Sequence, residues 1–243
     1  MKKSVKMPDP YVMDELAVST APGSEPLNRQ VYHLLKLEII ECRLKPGDRL
    51  SENDVAARFR ISRQPVREAL IKLGEDNFVI IRPKRTTRVA PISRSDIDQG
   101  VEIRMALETH IAGLAATLIK PEHIKALDEN VQSQRYVAQQ YKLREHFALD
   151  DAFHRQVIEA SGISKAWGIV ESYKGVMDRL RFLSLEYELT PMVMTSNAHS
   201  RILEALRAGN SDAAVAAMRE HLEQTRRSLL TAMSKCKSDW FCD

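Results

Sequence analysis

The stretch that decides the fold runs Ile61-Ser62-Arg63-Gln64-Pro65-Val66-Arg67-Glu68-Ala69-Leu70. Val66, Ala69, Leu70 and Leu73 fall at i, i+3, i+4 and i+7, the spacing that buries one face of a helix. Ser62 stands where an N-cap belongs, and Pro65 falls in the first turn, where a missing N–H costs nothing. Arg63 and Arg67, four apart, share another face with Gln64 beside them. A helix presenting these groups near its N-terminus suits the major groove, because Arg pairs bidentately with guanine O6 and N7. The same surface would serve as a solvated face if the unit made protein contacts instead.

Working outward, apolar residues at Val31, Leu34, Leu35 and Ile39 predict a first helix from Asn28 to about Cys42. Pro46-Gly47-Asp48 forces a turn, and Ser51 caps a second helix ending near Phe59. Downstream, Phe78 to Ile81 and Thr87 to Ala90 read as β runs around Pro83-Lys84-Arg85-Thr86, a hairpin with a basic tip. Three short helices and a basic hairpin make a winged helix-turn-helix over residues 27–91. Lys84, Arg85 and Arg88 are placed to meet phosphates or the minor groove of double-stranded DNA.

Charge agrees with that division. Between Leu27 and Pro91 there are 14 Lys/Arg against 8 Asp/Glu, whereas residues 92–243 hold 19 against 21. A basic unit joined to a near-neutral larger one suggests polyanion binding coupled to a regulatory or catalytic body. Residues 1–26, with four prolines, read as a mobile arm, residues 92–95 as a linker and 233–243 as a tail. From 96 to 232 only helical periodicity appears, with breaks at Pro121, Gly162, Thr190-Pro191 and Gly209-Asn210. The fold class expected is therefore mainly α, the winged unit followed by an all-helical bundle of six or seven helices.

Composition excludes collagen, low-complexity and disulfide-scaffold chains, since the 243 residues include only 3 Cys. No run approaches a membrane span, and no basic-then-apolar leader opens the chain. Cys42, Cys236 and Cys242 lack zinc-ribbon spacing, which fits a reducing, cytoplasmic setting.

Asp150 and His154 lie at i and i+4 in a helix that also carries Leu149, Phe153 and Val157. His199 lies ten residues before Gly209 and His221 eleven after Asn210, so a helical hairpin turning there sets the two side by side. One carboxylate and three imidazoles from three helices suit zinc, nickel or another first-row divalent ion. Two core histidines beside a solvated Asp–His pair would give the same spacing. His33, His110 and His123 have no partners at ligand spacing, and His146, four before Asp150, reads equally as a solvated helix pair.

The run Pro46-Gly47-Asp48-Arg49-Leu50-Ser51-Glu52, followed by Ser62-Arg63-Gln64-Pro65-Val66-Arg67-Glu68-Ala69-Leu70, resembles the GntR family of bacterial transcription regulators. Leu149-Asp150-Asp151-Ala152-Phe153-His154, with His199 and His221, resembles the FCD ligand-binding domain of its FadR subfamily; the length of the helical part favours the shorter VanR-like form, and Gln64-Pro65-Val66-Arg67 with Asp239-Trp240-Phe241 is similar to RspR-like members. The resemblance implies that Arg63 and Arg67 contact bases, with Ser62 and Gln64 near the backbone. It implies that Asp150, His154, His199 and His221 hold a divalent metal, Asp151 being in the wrong register. Arg104 and Glu108 resemble the Arg-x-x-Leu-Glu start of that domain, which makes Arg104 the contact for an effector carboxylate. Asn53 and Thr86 stand where the family often carries Arg and Gly.

The expected protein is thus a homodimeric repressor of an inverted-repeat operator, modulated by a small organic acid such as a sugar acid. The rival is a metal-dependent hydrolase or lyase using the same Asp and three His. Against it stand the lack of His-Glu-x-x-His, Gly-x-Ser-x-Gly or a Gly-rich phosphate loop. A third reading is a helical interaction domain with no small ligand.

Overall fold

The computed structural model describes residues 18–19, 21, 23–82, 86–183 and 192–243. They form two compact units that part between Ala90 and Pro91, with Ile40–Cys42 grouped with the second. The fold is mainly helical, with nine α-helices among the described residues.

The first unit holds α1 (Leu27–Ile40), β1 (Arg49–Leu50), α2 (Glu52–Phe59), α3 (Arg63–Glu75), β2 (Val79–Ile80) and β3 (Thr87–Val89). α1 buries Val31, Leu35 and Ile39, and the buried Glu38 carboxylate is gripped by both arms of the Arg58 guanidinium from α2. Such a bidentate pair fixes the angle between two helices as well as their separation. Ser51 caps α2 by accepting the Asp54 N–H at 3.4 Å, and Arg60 ends it in the left-handed conformation, φ 54°. α3 buries Val66, Ala69, Leu70 and Leu73, the face that its spacing predicts.

β2 and β3 pair antiparallel with Val79 opposite Val89, as a wing requires. β1 adds a third strand on the other side of β3, giving the order β1-β3-β2. Two residues are too few to show alternation, so β1 carries no sequence signal of its own. It follows from Gly47, whose φ of +88° lets the Pro46-Gly47-Asp48 turn bring Gly47 N–H to the Val89 carbonyl at 3.0 Å. The end of the expected arm is tied down: Ser19 exchanges two hydrogen bonds with the Gln30 amide of α1, at 2.7 and 2.9 Å.

The second unit holds β4 (Ile92–Ser93), α4 (Arg94–Leu118), α5 (Pro121–Gln139), α6 (Leu143–Ala160), α7 (Ala166–Leu183), α8 (Met192–Arg207) and α9 (Ser211–Lys235). A 3₁₀ turn (Ser238–Trp240) and β5 (Phe241–Cys242) follow, β5 pairing parallel with β4. The stretch 92–95 is therefore strand and the opening turn of α4 rather than a linker. The stretch 233–243 is likewise folded, with Trp240 and Cys236 buried beside Ile92 and Ile97. The apolar contacts that hold it are long-range, which local patterning does not register.

Pro121 opens α5, Gly162 follows α6 with φ +78°, and Asn210 caps α9 through the Ala213 N–H at 3.0 Å. The expected break at Thr190-Pro191 lies outside the described residues. Ile111, Ala112 and Ala115 of α4, Leu127 of α5, Phe153 and Val157 of α6, Ile202 and Leu206 of α8 and Met218 of α9 make one core. It surrounds the inward faces of α4, α6, α8 and α9, where the polar cluster lies.

Candidate metal centre and nucleic-acid interface

On the first unit, Ser62, Arg63, Gln64 and Arg67 are all exposed at the start of α3, while the opposite face is buried. Ser62 occupies the N-cap position, yet its hydroxyl makes no capping bond. Arg63 donates from Nη1 to Asn53 Oδ1 at 3.1 Å, and Gln64 Nε2 donates to Glu68 Oε1 at 2.8 Å. Arg63 also lines a cleft of about 430 Å³ with Leu50, Ser51, Asn53, Thr86 and Thr87. Asn53 thus supports the Arg63 guanidinium, a role its spacing did not reveal. Lys84 and Arg85 lie outside the described residues, and Arg88 donates to the Gly47 carbonyl at 2.7 Å.

On the second unit, Asp150 and His154 from α6, His199 from α8 and His221 from α9 bring one ligand atom each within 4.8 Å of all the others. All four are at most 4% exposed. The Nε2 atoms of His154 and His221 stand 3.2 Å apart, those of His199 and His221 3.4 Å, and His199 Nε2 is 3.6 Å from Asp150 Oδ1. Donors about 2.1 Å from a tetrahedral ion would stand about 3.4 Å from one another.

The surroundings fix which nitrogens face inward. His154 Nδ1 lies 2.6 Å from Glu108 Oε2, so that nitrogen carries the proton and Nε2 keeps its lone pair. His199 Nδ1 lies 2.8 Å from Gln134 Oε1. The amide is held that way round because Gln134 Nε2 donates to Asn130 Oδ1 at 2.7 Å. Carboxylate and amide partners behind ligating imidazoles are what metal sites use to set tautomer and ring orientation. Without an ion, lone pairs of buried imidazoles would crowd one another, so the donor set fits a first-row divalent ion.

Charge is distributed to match. Burial, with His221 adjacent, holds the His199 imidazole well below its ordinary value, and burial with His154 adjacent brings His221 down to about 3. Burial alone would raise Asp150, but the Arg181 guanidinium beside it pulls it well below the usual carboxylate range. Burial would likewise raise Glu108, and Arg104 and His154 outweigh it. All of these groups therefore favour the state in which metal ligands act, imidazoles neutral and carboxylates ionised.

Arg104 is 3% exposed, its Nε donating to Glu108 Oε1 at 2.5 Å and its Nη2 lying 3.4 Å from His154 Nε2. The pair is therefore a buried part of the cluster, and not an ion pair on an exposed helix face. His146, too, is fully buried, and not solvated. Sequence reasoning missed Gln134 and Arg181. Arg181 donates to the second oxygen of Asp150 at 3.0 Å and stacks 4.1 Å from the Phe147 ring centroid. Neither sits at a helical offset from a ligand, so only tertiary packing reveals them.

A winged helix with exposed arginines at its third helix, joined to a helical unit built around buried metal-type donors, defines a DNA-binding regulator with a ligand-sensing part. Residues 27–89 match the bacterial regulatory proteins of the gntR family, and residues 99–224 match the FCD domain. The chain belongs to the GntR family and carries an FCD effector-binding domain. The HTH-type transcriptional repressor RspR of Escherichia coli (strain K12) is 36% identical over 220 residues, covering 90% of this chain and 96% of that one. E. coli McbR/YncC shares the fold with a TM-score of 0.72 at 22% identity, over 86% of this chain and 99% of the other. A GntR regulator from Rhodococcus sp. RHA1 does so at 0.68, with 22% identity and the same coverage. The chain is accordingly a DNA-binding transcriptional regulator and not an enzyme. Among the described residues no helix is long and apolar enough to cross a membrane.

Proposed function

We propose that this regulator is a cytoplasmic homodimeric repressor whose operator grip is released by a small carboxylate bound at a divalent-metal centre. Residues 27–91 read an inverted-repeat operator, since two-fold protein symmetry implies operator symmetry. Arg63 and Arg67 contact bases, Ser62 and Gln64 position the helix, and the wing residues Lys84 and Arg85 meet the backbone. Residues 96–232 sense the ligand. Asp150, His154, His199 and His221 hold the ion, zinc or nickel by donor type.

The observation that carries this reading is the convergence of three inward Nε2 atoms and one carboxylate in a fully buried cluster, locked from behind by Glu108 and Gln134. An ion held there would offer a Lewis-acidic centre to carboxylate oxygens. Arg104, 3.4 Å from one donor nitrogen, supplies positive charge beside that position. Release follows only if the ligand binds the non-DNA-binding arrangement more tightly than the other. The repressor sense is supported by the name of the E. coli relative.

The test is fluorescence anisotropy on DNA from upstream of the protein's own gene, with excess non-specific competitor at stated salt. Binding in the range of about 10⁻⁸ to 10⁻¹¹ M that survives competitor, and is weakened by an organic acid only without chelator, supports the reading. Release by the same acid after complete chelation would contradict it.

A further inference from the structure

Asn53 and Arg63 stand at the starts of α2 and α3, Asn53 as the second residue of one and Arg63 as the first of the other. Both side chains are exposed, and Arg63 Nη1 donates to Asn53 Oδ1 at 3.1 Å. A guanidinium only donates, so the amide has to turn its oxygen toward Arg63 and its nitrogen away. An asparagine reads adenine by offering its oxygen to N6 and its nitrogen to N7 together, and an oxygen aimed at Arg63 is turned away from that pair. Arg63, by contrast, gives up one N–H and keeps the others, enough for the fork that meets guanine O6 and N7. The two side chains also line one open cleft of about 430 Å³, together with Ser51, Thr86 and Thr87.

We propose that Asn53 is a specificity-determining residue of the operator interface, one that reads no base itself but holds the Arg63 guanidinium for a guanine. The inference rests on the reading of α3 as the major-groove helix. An exposed arginine samples many rotamers, and fixing it on a base costs conformational entropy. A partner that already holds one arm lowers that cost for a single direction of the fork, and therefore for a single base position. Exposed pairs of this kind add little to folding stability, so removing this one leaves the fold intact and its effect falls on recognition.

A double-mutant cycle in the full-length protein tests this. Wild type first selects its preferred site from a randomised duplex library. Anisotropy at fixed salt then ranks every base at each position for wild type, Asn53→Ala, Arg63→Ala, the double variant and Arg67→Ala. Arg63→Ala marks the position that Arg63 reads, where wild type should prefer guanine over the other bases and over a deaza analogue lacking N7. There Asn53→Ala should lower the guanine preference about three- to tenfold, the range one hydrogen bond supplies. It should leave the remaining positions and the helical circular dichroism unchanged, and add no further loss in the Arg63→Ala background. An equal loss of affinity for every sequence, a preference lost at a different position, a base other than guanine at the Arg63 position, or additive effects in the double variant overturns the proposal. So does relaxation by Arg67→Ala alone, and each of these results would leave α3 as the reading helix. If neither arginine variant relaxes any position, both readings fall.

Discussion

Replacing Gln134 by Leu isolates the contribution of a single buried amide to metal binding. In the native chain Gln134 Oε1 accepts from His199 Nδ1 at 2.8 Å, while Nε2 donates to Asn130 Oδ1 at 2.7 Å and reaches the Leu149 carbonyl at 3.5 Å. Leucine fills similar space but leaves the His199 Nδ1 proton unpaired at a residue with no solvent exposure. The ring is then free to choose the other tautomer, which puts the proton on Nε2, where a ligand lone pair is needed. Loss of such an outer partner costs metal affinity by about 10- to 100-fold, or about 1.4–2.7 kcal/mol. The unpaired donor also costs the apo fold about 1–3 kcal/mol. Zinc affinity measured by chelator competition, alongside urea denaturation of the metal-free protein, separates the two effects. A Gln134→Leu protein that binds zinc as tightly as wild type would refute the assignment of Gln134 as the group that orients His199.

Other consequences are equally specific. Arg63→Ala and Arg67→Ala should each weaken specific DNA binding by about 1–3 kcal/mol and relax base preference, read by anisotropy over operator variants. Unchanged affinity and preference in both would remove α3 as the reading helix. In metal-free protein, His199 and His221 are held below the ordinary histidine value, so the unfolded chain takes up protons first as pH falls. Their stabilising contribution is complete above about pH 6.5 and is lost as pH drops toward 3. The urea midpoint should therefore fall between pH 7.5 and pH 5, and a constant or rising midpoint would contradict the burial argument. Gly113→Ala would place a Cβ 2.9 Å from Val215 Cγ2 and 3.0 Å from Ser211 Oγ, both on α9. Forcing α4 away from α9 should cost about 1–3 kcal/mol in denaturant unfolding; no loss would mean that α9 gives way freely.

What the sequence made legible is what short-range periodicity and caps encode. The buried face of α3, the Ser51 cap and the turn at Gly209-Asn210 were readable because each is set within a few residues. The four metal-type donors were readable because two share one helix face and two flank one turn. β1 and the C-terminal β5 were not, since two-residue strands exist only by virtue of partners 37 to 39 and 149 residues away in the chain. Arg181, Gln134 and the buried state of His146 were hidden for the same reason. Each acquires its role from a helix packed across the core, and a lone Arg, Gln or His on a helix looks the same whether its neighbour is water or a ligand.

Elemental analysis of the purified full-length protein, after equilibration with zinc or nickel and removal of free ion, tests the central claim most directly. The account predicts one divalent ion per wild-type chain and a clear loss in Asp150→Ala and His221→Ala proteins that still show native helical circular dichroism. A wild-type protein that retains no ion under these conditions, or variants that retain it fully, would contradict a metal centre built from Asp150, His154, His199 and His221.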